Sequence, residues 1–388
     1  MVELVEGPRM FNVKCGIVGC GVVAHNKYIP AVKKYAILEA VCDIREERAR
    51  RTAEVWHIRS YYTDFTDMLE KADIDAVLIL TGMDIHADQV VEAARMGKHI
   101  LVQKPLATKL DKLREAVEAV EKARVKVLVE PNVQLNPIYL KASNIVEGIG
   151  SPYWFRAGFG RHPPSWGEHT FFSKEGGGPL FDLAVYEVSL LTFILGPAKS
   201  VTAIGRISVP ELDLVEDDYL NHHLPESVSK SVWEIIASAP RTRRIRVEVE
   251  DNVMILMEMV NGAIGVVVSN YVTPREFARP PRVEVYGSTG FLDIPVHSSR
   301  NPVISGAVKI GGTVETISID GASLGLVEHN GWFSWDYYEA SVKHLLECIV
   351  TDREPLPSIR WGAHVSEILI RSLDSMRSGR SMDISYRF

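Results

Sequence analysis

The sequence predicts an α/β protein: a doubly wound parallel sheet in the N-terminal third, followed by an α+β region built on a large, mostly antiparallel open sheet. Three observations carry this. Apolar runs at 13–18, 38–42, 75–80, 99–102 and 125–129 are short and continuous, with helical segments between them, the pattern of parallel strands buried on both faces. The first run closes on a turn containing Gly19, Gly21 and Ala24. From about residue 150 the pattern becomes one of strands joined by hairpin signals.

The elements follow in order. Residues 1–11 read as a flexible extension before the first strand. Asp84 precedes a helix at 85–96 that Gly97 stops, and Thr108 with Asp111 makes a capping-box-like start for a helix at 109–123. Pro131 and Pro137 break the alternation, so the division falls into a dinucleotide-type domain at 12–131 and a second domain at 132–388. Pro179 suits a first helical position, and Gly196 with Pro197 ends that helix. Strands are expected at 200–207 and 229–237. The β-rich segments 245–260 and 263–272 meet at Asn261-Gly262, and a second hairpin turns at 287–290, between 283–286 and 291–294. Helices at 335–350 and about 362–377 close the chain, with the aromatic residues of 332–338 packing the first of them. A large sheet with one face uncovered by its own helices implies a homodimer or homotetramer.

Composition narrows the function classes. The 388 residues are 46% hydrophobic and 24% charged, ordinary for a two-domain globular protein. The net charge is −7, and the densest basic run, Arg241–Arg246, alternates like the solvated face of a strand, which argues against nucleic acid. Cys15, Cys20, Cys42 and Cys348 show neither a C-x-x-C nor a metal-ligand spacing, and read as small core residues of a cytoplasmic protein without a metal. No apolar stretch is expected to span a membrane, and the N-terminus lacks signal-peptide architecture.

The glycine turn carries the first chemical signal. Gly19 permits a tight strand-to-helix turn, Gly21 lets a pyrophosphate approach the backbone, and Ala24 stands at the helix–strand contact. Asp43 ends the next strand, 22 residues beyond Gly21, where a carboxylate accepts from both ribose hydroxyls. That acid favours NAD, since it repels a 2′-phosphate. Arg45 supplies a guanidinium that leaves NADP open.

Two further clusters stand out. Gln103, Lys104 and Pro105 follow the strand at 99–102, on the side where open parallel sheets bind ligands; the alternative is a surface lysine in a loop. Gly176, Gly177, Gly178 and Pro179 lead into an apolar helix carrying Asp182 and Tyr186, four apart and so on one face. Either these two serve a pocket, or Asp182 meets the helix N-terminus and Tyr186 is core. The loop-like stretch from Arg161 to His169 holds His162, Trp166 and His169, candidates for substrate contact, and either histidine is an alternative acid/base. Lys174, Arg156 and Arg161 are cations suited to an acidic or phosphorylated sugar.

These clusters resemble the glucose–fructose oxidoreductase / inositol dehydrogenase / MocA family (Gfo/Idh/MocA). The glycine turn, Thr81 to His86 before a helix, Gly97-Lys98-His99 entering a strand, Gln103-Lys104-Pro105 and the glycine-rich entry to Asp182 all take part, and the likeness spans essentially the whole chain. The resemblance implies a Rossmann domain, a mostly antiparallel second domain, and NAD(P)-dependent oxidation or reduction of a sugar, sugar derivative or polyol. It places the cofactor against Gly19, Gly21, Val22, Val23, Asp43, Ile44, Arg45, Thr81, His86, Gln103 and Lys104. Two departures matter: Gln103 stands where the family has Glu, and Tyr186 where it has the His acid/base. We therefore expect Lys104 to stabilise a Tyr186 phenolate as a proton relay, with Asp182 positioning a hydroxyl or Lys104. An NAD-dependent glycosidase and a non-catalytic nucleotide-binding regulator are the alternatives the fold leaves.

Overall fold

The computed structural model describes residues 10–228, 231–296, 302–329, 332–334 and 336–388. Most of the expected N-terminal extension (1–9), two residues of the expected strand at 229–237 and Trp335 of the aromatic cluster lie outside them. Strands β1 (Lys14–Val18), β2 (Ile37–Cys42), β3 (Ser60–Tyr62), β4 (Ala76–Ile79), β5 (His99–Val102) and β6 (Val127–Val129) form one sheet in the order β3-β2-β1-β4-β5-β6. Every pairing in it is parallel. β4 and β6 are buried along their whole length, which is why their sequences are unbroken apolar runs. The strand order reverses between β1 and β4, so the loops after β1, β2, β4 and β5 open onto one crevice.

The remaining strands are β7 (Pro152–Gly160), β8 (Ala198–Arg206), β9 (Glu211–Leu214), β10 (Arg243–Arg246), β11 (Asn252–Met259), β12 (Ile264–Asn270), β13 (Arg282–Gly287), β14 (Gly290–Pro295), β15 (Ile304–Ile310), β16 (Thr313–Ile319), β17 (Val327–His329), β18 (Trp332–Ser334) and β19 (Met382–Asp383). Nine of them make a sheet in the order β16-β15-β14-β13-β7-β12-β11-β8-β19, antiparallel except at β12–β7. Both expected hairpins form: β11 turns into β12 through Gly262 at φ +91°, and β13 pairs with β14. Side chains alternate across β11, with Val253, Ile255, Met257 and Met259 buried while Met254 and Leu256 face outward.

Helices Ala184–Leu195 and Ile359–Ser378 cover the inner face of this sheet. Helix Tyr337–Thr351 instead returns to the parallel sheet, where Val342, Leu345 and Leu346 join the core around Ile17, Leu78 and Leu101. All four cysteines are free and buried.

Four local expectations are corrected. The segment expected as a strand at 229–237 contains a helix, Val232–Ser238. Ser231 and Glu234 form a reciprocal capping box, and Val232, Ile235 and Ile236 bury one face at helical spacing, overriding β-branched propensity. The stretch 245–260 is not one strand: Ile245 and Arg246 pair with β9, and β11 begins only at Asn252. Neither Asp84 nor Thr108 caps its helix by a side-chain bond; the caps are Ile85 and Lys109. Finally, Gly178–Leu195 is 18 residues long with mean hydropathy 1.5, long and apolar enough to cross a membrane. It is 89% buried inside this fold and broken at Leu183.

Candidate active site

Gly19 adopts φ +93°, and a Cβ there would meet the Leu80 carbonyl oxygen at 2.7 Å, so only glycine makes this turn. Gly21 is different: a Cβ would meet no protein atom within 4 Å. Its face opens on the space where a pyrophosphate would lie against the backbone. Asp43 is 6% exposed; its Oδ2 accepts from the Cys20 N–H at 3.0 Å and its Oδ1 from the Arg45 N–H at 3.0 Å. The carboxylate is thus tied to the turn it serves. The open face of Gly21 and the adjacent acid fit a dinucleotide.

Around that turn, Ile44 is 89% exposed, Val22 packs outward against a small cluster from residues 215–239, and Val23 packs into the core under β1. The following helix starts with a π turn at Ala24–Tyr28. It carries the buried His25, whose ring accepts from Trp56 Nε1 at 3.1 Å and meets Thr52 Oγ1 at 3.1 Å. Burial drives this imidazole down to about 3, so it is neutral.

Lys104 emerges after β5 and reaches across to the second sheet's helices. Its Nζ donates to Asp182 Oδ1 at 2.5 Å and to the Asp182 carbonyl at 2.8 Å. The second bond exists because the expected single helix is broken. Helix Gly178–Asp182 ends at Leu183, and the Tyr186 N–H bonds the Leu183 carbonyl rather than that of Asp182. A continuous helix would have consumed the Asp182 carbonyl in its i→i−4 ladder. The entry is equally specific: Gly177 and Gly178 have φ +84° and +63°, and a Cβ on Gly178 would press on Val249 and Glu250.

Asp182 Oδ2 accepts from Tyr271 Oη at 2.6 Å. Burial raises the Asp182 carboxyl, but the Lys104 charge, the hydrogen bonds from Lys104 and Tyr271, and the Arg161 charge outweigh it, leaving it below the usual carboxylate range. Burial and the Asp182 charge push the Tyr271 phenol well above 10.

Tyr186 does not behave as expected. Lys104 Nζ lies over its ring, 5.0 Å from the centroid, a cation–π contact. Its hydroxyl hydrogen-bonds with the side chains of Tyr337 and Tyr338. Burial and the Asp182 charge raise the phenol above its ordinary value, and the hydrogen bonds to Tyr337 and Tyr338 only oppose this. The ammonium expected to stabilise a phenolate is bonded to Asp182 and meets Tyr186 through its ring.

Gln103 and Glu130 share a buried network through Tyr28. Gln103 Nε2 donates to Tyr28 Oη at 2.5 Å, which donates to Glu130 Oε1 at 3.0 Å. Glu130 follows β6, and its Oε2 accepts from the Asn132 N–H at 2.9 Å. Burial pushes its carboxyl up to about 7 against hydrogen bonds from Ser341, Tyr28 and Asn132. A carboxyl group therefore sits one strand over from the position where the amide of Gln103 stands. Glu130-Pro131 after a strand end repeats the pattern of Lys104-Pro105, the signal that would have marked it.

The other candidates fall in different places. Thr81 donates to Gln89 Oε1 at 2.6 Å. His86 is 1% exposed with Nδ1 at 2.8 Å from the Pro105 carbonyl and Nε2 at 3.2 Å from that of Thr81. It ties two crevice loops together. His169 is exposed and meets Asp84 Oδ2 at 3.2 Å; His162 is exposed, at 3.0 Å from the Pro163 carbonyl. Trp166 packs edge-on against Phe171 and Trp233, part of an aromatic cluster rather than an open platform. Lys174 lines a separate cavity of about 260 Å³ with Glu248, Glu250 and Arg377, without Lys104 or Asp182 in its walls.

Residues 13–130 match the family model described as an oxidoreductase family with an NAD-binding Rossmann fold, and residues 139–293 match the GFO/IDH/MocA C-terminal domain. A scyllo-inositol 2-dehydrogenase (NAD(+)) of Bacillus subtilis is 25% identical over 387 residues, covering 97% of each chain. A D-apiose dehydrogenase of Paraburkholderia graminis is 24% identical across 96% of this chain and 89% of its own. A levoglucosan dehydrogenase solved with NADH and L-sorbose superposes with a TM-score of 0.77 at 19% identity, covering 97% of this chain and 99% of its own. The turn at Gly19–Gly21, the Asp43 acid and both matched segments agree: this chain belongs to the GFO/IDH/MocA oxidoreductase family.

Proposed function

We propose that this protein is an NAD-dependent dehydrogenase or reductase acting on a CH–OH group of a sugar, sugar derivative or polyol. The observation that carries the reading is the Lys104–Asp182 pair, 2.5 Å apart, beside the crevice onto which the glycine turn opens. Bound NAD supplies the ring that takes or gives hydride. Gly19, Gly21, Val22 and Val23 would shape the pyrophosphate turn, Asp43 would accept from the ribose, and the exposed Ile44 would lie under the adenine. Asp182, held ionised, fixes the Lys104 ammonium, which hydrogen-bonds the reacting substrate oxygen. In the reduction direction the ammonium donates the proton that oxygen needs and is left a neutral amine; oxidation starts from that neutral amine, whose lone pair takes the hydroxyl proton and restores the ammonium. Tyr186 lines the site as a neutral ring beneath Lys104.

We further place the domain division at 131, and the assembly as a homodimer or homotetramer through the outer face of the nine-stranded sheet. Trp154, Ile204, Met254, Leu256 and Ile264 stand 43–68% exposed on that sheet, a support for burial between copies. Four buried free thiols support a cytoplasmic setting. The deciding experiment is a panel of sugars, sugar acids and cyclitols, following nicotinamide absorbance with NAD and with NADP. Substrate-dependent NADH formation is expected for at least one cyclic polyol or sugar. Nucleotide binding with no turnover across the panel would favour a regulator, and substrate cleavage without net NADH a glycosidase.

A further inference from the structure

Between β9 and β10 the chain builds a small lobe: helix Asp217–His223, a 3₁₀ turn at Leu224–Val228 and helix Val232–Ser238. It has its own apolar core of Val215, Leu220, Leu224, Val232, Ile235 and Ile236, on which Val22 of the glycine turn packs. The lobe therefore rests on the cofactor turn, and its polar edge faces the helix that follows Asp43.

There it meets two arginines that flank Asp43. Asn221 Oδ1 accepts from Arg45 Nη1 at 2.6 Å and also from Arg48 Nη2. Arg48 Nη1 lies 3.4 Å from Asp43 Oδ2. Arg45 Nη2 is 3.9 Å from Asp217 Oδ2, the oxygen that also accepts from Arg243 Nη1 at 2.6 Å. Guanidinium groups beside the ribose acid are what a 2′-phosphate would need. Here one Nη of each is bonded by the Asn221 amide oxygen, and Arg45 Nη2 stands at ion-pair distance from the Asp217 carboxylate, both arriving from more than 170 residues further along the chain. Asp217, shared between Arg45 and Arg243, also offsets part of the Arg45 charge that a phosphate dianion would seek.

We propose that Asn221 and Asp217 are cofactor-specificity residues that hold Arg45 and Arg48 in a phosphate-refusing arrangement. Discrimination between NAD and NADP is then set jointly by Asp43 and by this lobe. The inference rests on nucleotide binding at the glycine turn, not on the identity of the polyol.

The test is calorimetric titration of the full-length protein with NADH and with NADPH, needing no substrate. Asn221→Ala releases both guanidinium groups, and the near-isosteric Asp217→Asn removes the charge with little change of shape. Each is expected to raise the ratio of NADPH to NADH affinity, Asn221→Ala by about tenfold. Adding Arg45→Ala and Arg48→Ala to Asn221→Ala should cancel most of that gain. A ratio unmoved in both single variants overturns the proposal, as does a gain that survives the loss of both arginines. Wild-type protein that binds neither nucleotide sinks the cofactor assignment itself, and this inference with it.

Discussion

Lys104 is gripped by both ends of one residue, Asp182: by the side-chain Oδ1 at 2.5 Å and by the backbone carbonyl at 2.8 Å. The grip depends on the helix opening at Leu183, and it fixes the ammonium in two directions at once. Lys104→Met should lower turnover by about 10²–10⁴ while nucleotide affinity changes far less. Because the pair acts as a unit, Lys104→Met combined with Asp182→Asn should cost little more than Lys104→Met alone. Steady-state rates and NADH titrations of the three variants check this; fully additive losses would separate the two residues.

Tyr186 gives a contrasting expectation. Its phenol is raised by burial and by the Asp182 charge, and its contact with Lys104 is through the ring. Tyr186→Phe keeps the ring, so turnover should fall less than about tenfold, well short of the Lys104→Met loss. Tyr186→Leu, which removes the ring, should cost more than Tyr186→Phe. A loss in Tyr186→Phe as deep as in Lys104→Met would restore the proton relay that the geometry argues against.

Legibility followed sequence distance. Five of the six parallel strands are legible as apolar runs with a local stop, while β3 is a short, half-exposed edge strand that no run marks; Asp43 and Lys104 are placed by the rule that ligands gather at strand carboxyl ends. The meeting of Lys104 with Asp182 was half visible: both residues stood out, but nothing local announces the break at Leu183. Tyr271 and Asn221 were invisible, since their partners Asp182 and Arg45 lie 89 and 176 residues away. The helix at Val232–Ser238 has a local signal, the Ser231–Glu234 capping box, that its β-branched residues mask, and its apolar face is completed by Val215, Leu220 and Leu224 earlier in the chain.

The two glycines of the turn separate folding from binding. Gly19→Ala forces a Cβ to 2.7 Å from the Leu80 carbonyl at a positive φ, so it should destabilise the fold by about 2 kcal/mol or more. Gly21→Val places its Cβ where no protein atom lies within 4 Å, so the melting temperature should hold. Its added atoms occupy the pyrophosphate's space, and NADH affinity should drop at least about tenfold. Thermal melts with and without NADH distinguish the pair: Gly21→Val should lose the nucleotide-induced stabilisation that wild type shows.

Glu187 is a buried acid with no role in the crevice. It is 0% exposed in an otherwise apolar helix, and neither carboxyl oxygen has a partner beyond its own backbone N–H. Burial pushes its carboxyl up from 4.5 to about 8. A folded-state value above the unfolded one means the group's contribution is fully present below about 4.5 and is lost as pH rises through about 8. At pH 7 the handicap is about 3 kcal/mol. Glu187→Met removes the carboxyl while filling similar volume, so it should stabilise the protein, and more at pH 8 than at pH 5. The expected rise in melting temperature near pH 8 is about 5–10 °C. An unchanged melt at pH 8, or a rise equal at both pH values, would mean that this carboxyl is solvated in the native state after all.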